Sequence, residues 1–290
     1  MMETENNGPE ALEANENIIK HVHDADILIV HMTIVNKKLI DAAKNLKLLG
    51  IMRGGCDNAN VDYAKEKGIK VVNSGARSSD AVADFTVGMI ISEMKNIARS
   101  FCELKKGNWV SGYSNFEYAH DLSKNTIGII GFGIIGQRVA ARLKSFGSKI
   151  IVYDPYVGDD GIKEKGYLPV SLDKLLTSSD VISIHMRLST DTKKMIGKNE
   201  FDKMKKNAFF INTARAGLVD EDALYNALKG CKIAGAAIDV FNVEPLPKDH
   251  RLIQLDNITI TPHIAGKTCD TSTNSAELIA IELKRFLDNK

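Results

Sequence analysis

The chain has 290 residues, which at roughly 150 residues per domain points to two domains. Its 38 Lys and Arg balance 37 Asp and Glu, so the net charge is +1, unlike the positive excess of nucleic-acid or membrane-surface proteins. A hydrophobic fraction of 44% and a charged fraction of 26% exclude disorder, collagen-like repeats and coiled coil.

The opening stretch, Met1–Glu16, is acidic and Asn-rich. It has no basic segment followed by an apolar core, so it does not read as a signal peptide. The longest stretch free of charge and strong polarity, Thr126–Gly136, falls far short of the roughly 18 apolar residues of a membrane span. Cys56, Cys102, Cys231 and Cys269 are scattered, with no CxxC and no Cys/His cluster. They read as buried or incidental thiols of a reducing, cytoplasmic protein, without a zinc site or disulfide framework.

In chain order, Ile27–Val30, Leu46–Ile51 and Ile69–Val72 read as strands, and Leu39–Lys44 and Val61–Lys67 as helices. They make a small α/β unit. A long helix-period stretch, Asp80–Lys106, follows, and then a polar and aromatic loop, Gly107–Asn125. Beyond it lie six apolar runs with strand character: Ile127–Ile130, Ile150–Tyr153, Val181–His185, Ala208–Ile211, Ile233–Ile238 and Ile258–Ile260. Helical spacing recurs between them. Val139, Ala140, Leu143 and Phe146 are stopped by Gly147, and Ala223, Leu224, Ala227 and Leu228 by Gly230. Alternating strand and helix predicts βαβ units in an α/β protein: one doubly wound, Rossmann-type parallel sheet beside a second, smaller α/β domain.

Gly131-Phe-Gly133-Ile134-Ile135-Gly136 is a GxGxxG. With 22 glycines in the chain, chance alone supplies roughly 0.1 such matches, so context decides. Here a strand enters the motif, a helix leaves it, and the next strand ends at Asp154, which is 154 − 136 = 18 positions further on. Gly131 suits the tight turn, Gly133 the approach to a pyrophosphate, and Gly136 close packing of helix on sheet. The helix N-terminus offers N–H groups to the phosphates, and Asp154 offers acceptors to the adenosine ribose, which favours NAD over NADP.

Ligands of such sheets bind beyond the carboxyl ends of the strands. Three ionisable residues fall there: Arg215 in Asn-Thr-Ala-Arg-Ala-Gly, Glu244 before Pro245, and His263 in Thr-Pro-His. An arginine to clamp a carboxylate, a histidine to move a proton and a carboxylate to orient the histidine would suit hydride chemistry. Taken singly, each has a bland reading as a turn, loop or surface ion-pair residue.

The segments INTARAGLVDEDAL, GAAIDVFNVEPLP and DNITITPHIAG, with Thr126–Gly136 and Asp180–Leu188, resemble the D-isomer-specific 2-hydroxyacid dehydrogenases. The resemblance runs from about Asp24 to about Lys267. It implies NAD as cofactor and a small D-2-hydroxy acid or 2-keto acid, in some members phosphorylated, as substrate. It implies that Arg215 binds the substrate carboxylate and that His263 is the acid/base with Glu244 as partner. Asp239 would lie near the nicotinamide carboxamide. The cofactor is expected against Gly131, Gly133, Ile134, Ile135, Gly136, Asp154, His185, Thr213, Ala214, Arg215, Asp239 and His263. The substrate is expected against Arg53, Gly55, Cys56, Arg77 and Arg215. In the phosphoglycerate dehydrogenases an arginine matching Arg53 contacts the phosphate, and the competing reading pairs Arg53 with Asp57 or Asp62. A flavodoxin-like substrate domain is expected at 1–80, with 267–290 returning to it, and the NAD-binding domain at 81–266. The family also implies a homodimer, with no nucleic-acid or membrane partner.

Several positions depart from the pattern. Arg187 stands where the family has a proline, Ala216 replaces a glycine, and Asp57 occupies a common glycine position. The segment matching Asp24 usually follows a further strand and helix, so this chain reads as an N-terminally shortened form. A reading from another class is an NAD-sensing corepressor-like interaction protein of the same fold. The chain shows no basic patch and no appended interaction segment, which favours the enzyme.

Overall fold

A computed structural model describes residues 8–288; residues 1–7, with the opening methionine pair, and 289–290 lie outside it. The chain divides into two compact units, Met1–Ser78 with Lys267–Lys290, and Ser79–Gly266.

In the smaller unit three strands, β1 (Ile27–Val30), β2 (Leu48–Ile51) and β3 (Lys70–Asn73), form a parallel sheet in the order β1-β2-β3. Helix α1 (Glu16–His21), which the sequence did not lead us to expect, precedes β1. Its Asn15 cap accepts from the Asn17 amide, and Ile18 and Ile19 pack on the small core. Six residues are under two turns, too short for a period to stand out in a polar stretch. The crossovers are α2 (Lys37–Ala42) and α3 (Val61–Glu66), capped by Asn36 and Asn60, whose side chains accept from the Leu39 and Tyr63 amides. The last helix of the chain, numbered α11 (Cys269–Asp288), packs on this sheet. A Cβ at Gly50 of β2 would stand 3.3 Å from Ile279 Cγ2, so the absent side chain lets the helix approach.

In the larger unit seven parallel strands take the order β10-β9-β8-β7-β4-β5-β6. They are β4 (Thr126–Ile130), β5 (Lys149–Tyr153), β6 (Leu168–Pro169), β7 (Val181–Ile184), β8 (Phe209–Asn212), β9 (Gly235–Ile238) and β10 (Ile258–Ile260). Six of them are the expected runs; β6, two residues long and ending in proline, carries too little pattern to be read from sequence. Both faces are covered, so side chains of either parity are buried and the strands read as continuous apolar runs. Ile127, Ile129 and Ile211 face α4 (Ser79–Met94) and α6 (Ile134–Ser145) through Val87, Ile90, Val139 and Leu143. Ile130, Ile184 and Phe210 face the opposite layer, α8 (Leu172–Ser178), α9 (Lys198–Lys203) and α10 (Glu221–Lys229), through Leu175, Phe201 and Leu224.

The helix-period stretch Asp80–Lys106 is two helices, α4 and α5 (Ile97–Lys105), broken at Asn96 with φ 55°. Asparagine is among the few residues that enter the left-handed region readily. The break turns Arg99 back onto Glu93, with Nη2 2.6 and 2.7 Å from the two carboxylate oxygens. Glu93 is fully buried and also accepts from Thr259 Oγ1 at 2.7 Å; burial pushes its carboxyl up, against the pull of the Arg99 guanidinium. Hydrophobic periodicity carries no trace of such a polar interaction, so the break was invisible in the pattern. Helix α7 (Gly158–Glu164) follows β5. No helix among the described residues is long and apolar enough to cross a membrane.

Candidate active site

The order of strands reverses between β4 and β7: β4 leads to β5 on one side, and the chain then crosses to β7 on the other. The crevice at such a switch point is where doubly wound sheets bind ligands. Gly131 follows β4 with φ 94°, a left-handed conformation that favours glycine. A Cβ there would stand 2.7 Å from the His185 carbonyl carbon and 2.8 Å from the Met186 amide nitrogen. A Cβ at Gly136 would overlap the Gly131 carbonyl oxygen. These two glycines therefore let loop, helix and neighbouring strand close on one another. A Cβ at Gly133 would meet no atom within 4 Å, which is the open face a pyrophosphate needs. Gly133 is the N-cap of α6, whose first residues are Ile134 and Ile135, so their amides head the helix.

Asp154 stands one residue past β5. Its Oδ2 accepts from the Phe132 amide inside the glycine loop at 2.6 Å, and its Oδ1 accepts from the Tyr156 and Val157 amides at 2.7 and 3.0 Å. The carboxylate is thereby fixed beside the loop. A carboxylate offers about four acceptor positions, and three are used. His185, one past β7, places Nε2 2.9 Å from Ser183 Oγ, while its Nδ1 is buried without a partner. Burial pushes the imidazole down to about 4, so the ring is neutral near pH 7. A glycine cradle, a helix N-terminus, a fixed carboxylate and an orphaned ring nitrogen at one crevice fit a dinucleotide.

The other half of the edge is built from β8, β9 and β10. Asn212 and Ile260, the last residues of β8 and β10, both pair with Ile238, the last of β9, so the three strands end in one row. Arg215 and His263 each stand three residues beyond it, and Glu244 stands six beyond. Past β8, Asn212 shapes the turn: its Oδ1 accepts from the Ala214 amide at 2.9 Å and its Nδ2 donates to the Arg215 carbonyl at 2.9 Å. Thr213 is tied to Thr86 of α4, hydroxyl to hydroxyl at 2.7 Å. Arg215 is half-buried, donates from Nη1 to the Ala214 carbonyl at 2.8 Å and has no carboxylate partner among the described residues. Its remaining donors are available to an anion.

His263 Nδ1 lies 2.8 Å from Glu244 Oε2, and Glu244 Oε1 accepts from the Phe241 amide at 3.0 Å. His263 has φ 52°, a conformation that costs a non-glycine residue roughly 1–3 kcal/mol and persists only where surrounding contacts impose it. Those contacts come from Asp239, which is wholly buried directly after β9. Its Oδ1 accepts from Thr261 Oγ1 at 2.6 Å and from the Ile264 amide at 3.0 Å, and its Oδ2 accepts from the Ala265 amide at 2.8 Å. Glu244 and His263 are thus in direct contact, and Arg215 shares their edge with no hydrogen bond or ion pair to either among the described residues. Sequence reasoning passed over Thr86 and Thr261, because a buried threonine leaves no periodic or motif signal.

The remaining sequence-predicted residues lie in the smaller unit. Arg53 is 6% exposed and forms no ion pair, with Asp57 or Asp62 or any other carboxylate, among the described residues. Arg77 donates from Nη1 to Ser275 Oγ at 3.2 Å, and its Nε is buried without a partner. Burial and the nearby Arg53 charge both lower its pKa. His31, which the sequence did not single out, is lowered by burial and then by Arg77 and Arg53. Cys56 is half-buried, with Sγ 3.3 Å from Asn73 Nδ2, and Asn73 Nδ2 also donates to the Gly54 carbonyl at 3.1 Å. A Cβ at Gly55 would stand 2.5 Å from Asp57 Oδ2, so this loop is folded tightly on its own aspartate.

The sequence model of the family described as "D-isomer specific 2-hydroxyacid dehydrogenase, NAD binding domain" matches residues 87–265. The D-3-phosphoglycerate dehydrogenase of Methanocaldococcus jannaschii is 40% identical over 274 residues, covering 94% of this chain and 52% of that protein. The hydroxypyruvate reductase of Thermotoga maritima is 40% identical, covering 90% of this chain and 84% of that protein. Among solved structures, the D-lactate dehydrogenase from Aquifex aeolicus, complexed with NAD and lactic acid, superposes with a TM-score of 0.76 at 34% identity. That match covers 93% of this chain and 85% of that one. The chain spans about half the length of the archaeal phosphoglycerate dehydrogenases it matches. It belongs to the D-isomer specific 2-hydroxyacid dehydrogenase family, and the larger unit is its NAD-binding domain.

Proposed function

We propose that the chain is an NAD-dependent dehydrogenase interconverting a small D-2-hydroxy acid and its 2-keto acid. The observation that carries this reading is the Glu244–His263 pair, on the same sheet edge as Arg215 and the Gly131 loop. Gly131, Gly133, Ile134, Ile135, Gly136, Asp154 and His185 would hold the adenosine and pyrophosphate, and Thr213, Ala214 and Asp239 the nicotinamide half. When bound, the dinucleotide supplies the hydride that C2 of a keto acid accepts, or takes it from the hydroxy acid. Arg215 binds the substrate carboxylate and draws electron density from the C2 oxygen. His263, oriented through Nδ1 by Glu244, keeps Nε2 for the proton: it donates during reduction and accepts during oxidation. The fixed negative charge of Asp154 selects against a 2′-phosphate, and hence for NAD.

The smaller unit binds the substrate, with Gly55 and Cys56 in its loop. The Arg53 and Arg77 guanidiniums repel one another, burial and both charges favour the neutral form of the neighbouring His31 imidazole, and no carboxylate pairs with either arginine among the described residues. Clustered cations of this kind are stabilised by a bound anion. We therefore read the substrate as carrying a second acidic group of the phosphate class, as the name of the M. jannaschii relative implies for that protein. We also infer a homodimer built on the larger unit, because α5 exposes Ile97, Phe101 and Leu104, and Trp109 just beyond it is 88% exposed. Sedimentation of wild type and a Phe101→Glu, Trp109→Ser variant tests the dimer.

The test of function is NADH consumption with glyoxylate, pyruvate, hydroxypyruvate and phosphohydroxypyruvate. Turnover of any of them supports the dehydrogenase, and preference for phosphohydroxypyruvate supports the anion site. NADH binding without turnover on the whole panel would favour an NAD-sensing protein instead.

A further inference from the structure

We propose that Arg187 binds the pyrophosphate of the dinucleotide, supplying a cation from the β7 side of the glycine loop. The inference rests on the cofactor placement proposed above. The end of β7 is built against that loop. Ile184 pairs with Ile130, the last residue of β4, and the His185 amide donates to the Ile130 carbonyl at 2.6 Å. A Cβ at Gly131 would stand within 2.9 Å of the His185 carbonyl oxygen, so the loop lies directly on the chain leaving β7. Met186 turns into the core at 6% exposed, and the next residue, Arg187, is exposed. Its backbone is fixed. The buried Thr192 hydroxyl donates to the Arg187 carbonyl at 2.6 Å and accepts from the Ser189 amide at 2.8 Å. The Lys193 amide closes the same turn on the Ser189 carbonyl at 3.0 Å. A long cationic side chain thus stands on an ordered turn, three residues beyond β7 and beside the loop that would receive the phosphates.

A pyrophosphate carries negative charge on each of its phosphates. The glycine loop answers it with amides and a helix N-terminus alone, and Asp154 adds a further negative charge to the crevice. The arginines of α6, Arg138 and Arg142, are already engaged by Asp80 and Asp84. The Arg187 guanidinium makes no hydrogen bond or ion pair among the described residues, so its donors are open to a ligand. Its side of the loop decides which part of the ligand it meets. β5 and β7 flank β4, so Asp154 and Arg187 approach from opposite sides. The ribose 2′ position belongs to the Asp154 side, which leaves the phosphates to Arg187. A guanidinium–phosphate pair is charge-assisted and often bidentate. The proline of the family at this position has neither charge nor donor, so the contact belongs to this chain.

The experiment measures dissociation constants for wild type, Arg187→Gln and Arg187→Lys. NADH is followed by its fluorescence and ADP-ribose by competition with NADH, each at low and at high NaCl. At low salt we expect Arg187→Gln to weaken both ligands by roughly tenfold, and by the same factor, because both carry the pyrophosphate. Arg187→Lys keeps the charge without the planar fork, so it should lose only about threefold. Added salt should weaken binding to wild type more than to Arg187→Gln. Wild-type NADH affinity in Arg187→Gln would overturn the proposal, even if NADPH affinity fell, since the arginine would then belong to the ribose 2′ position. A loss for NADH with ADP-ribose bound as by wild type would overturn it as well, and would place the arginine at the nicotinamide. A wild type that binds no NADH would remove the cofactor placement and this proposal with it. A wild type that binds NADH but turns over no keto acid would refute the dehydrogenase reading alone, because these measurements read binding.

Discussion

Glu244 divides its carboxylate between two tasks: Oε1 accepts from the Phe241 amide at 3.0 Å, and Oε2 lies 2.8 Å from His263 Nδ1. The first bond fixes the carboxylate on its own loop, and the second fixes the ring. Glutamine retains one acceptor, so it serves either the Phe241 amide or a protonated Nδ1, but not both. Glu244→Gln should therefore lower kcat for keto-acid reduction by roughly tenfold to hundredfold, with NADH affinity held within about twofold. His263→Ala should abolish turnover and leave NADH binding intact. Stopped-flow turnover and NADH fluorescence titration check both, and His263→Ala turning over at the wild-type rate would remove the assignment.

Arg53 lies buried beside a second guanidinium and pairs with no carboxylate among the described residues. Arg53→Ala should relieve that repulsion and so leave stability unchanged or slightly improved. It should also cost about tenfold to hundredfold in kcat/KM for phosphohydroxypyruvate, the value of one charge-assisted contact of roughly 1.5–3 kcal/mol. For hydroxypyruvate the change should be under about threefold. Equal losses for the two acids would show that Arg53 does not read the phosphate.

Much of the larger unit was legible because covered parallel strands announce themselves as apolar runs and Gly131–Gly136 sits between strand and helix. Glu244 and His263 came from their places after strands, a position the topology turns into a contact. What stayed hidden were polar tertiary contacts. The Glu93–Arg99 pair breaks α4 from α5, Asp239 gathers three donors from the His263 turn, and Thr86 meets Thr213. Each joins residues whose meeting depends on helix and strand placement, and none leaves a period in the sequence. The cluster of Arg53, Arg77 and His31 was only partly legible: the two arginines were singled out, and His31 was not, because β1 delivers it from a segment without any motif.

Asp154 stands at the ribose end of the glycine loop, held by the Phe132, Tyr156 and Val157 amides. Asp154→Ala removes the charge that opposes a 2′-phosphate, while Arg187, exposed and free of ion pairs among the described residues three positions past β7, remains as a cation. The variant should narrow the NADH over NADPH preference by about tenfold or more, through KM rather than kcat. Paired titrations with the two cofactors check this. A wild type that already uses both equally would end this account of Asp154.

His185 makes stability depend on pH in a direction that follows from its burial. Folded, its imidazole titrates at about 4; unfolded, it returns to its ordinary value of about 6.5. Above pH 6.5 the ring is neutral in both states and contributes nothing. Between about 6.5 and 4 the unfolded chain binds a proton that the folded chain refuses, so the unfolding free energy falls as pH falls. Below about 4 both forms are protonated and the loss is complete, at about 3 kcal/mol for a shift of this size. His185→Gln has no proton to bind in that window, and every other titrating group is shared with wild type. Urea unfolding at pH 7.5, 6 and 4.5 should show the wild type losing more stability than the variant, by about 2–3 kcal/mol across the range. Parallel losses in the two proteins would mean that His185 accepts its proton in the folded state, against the burial that lowers its pKa.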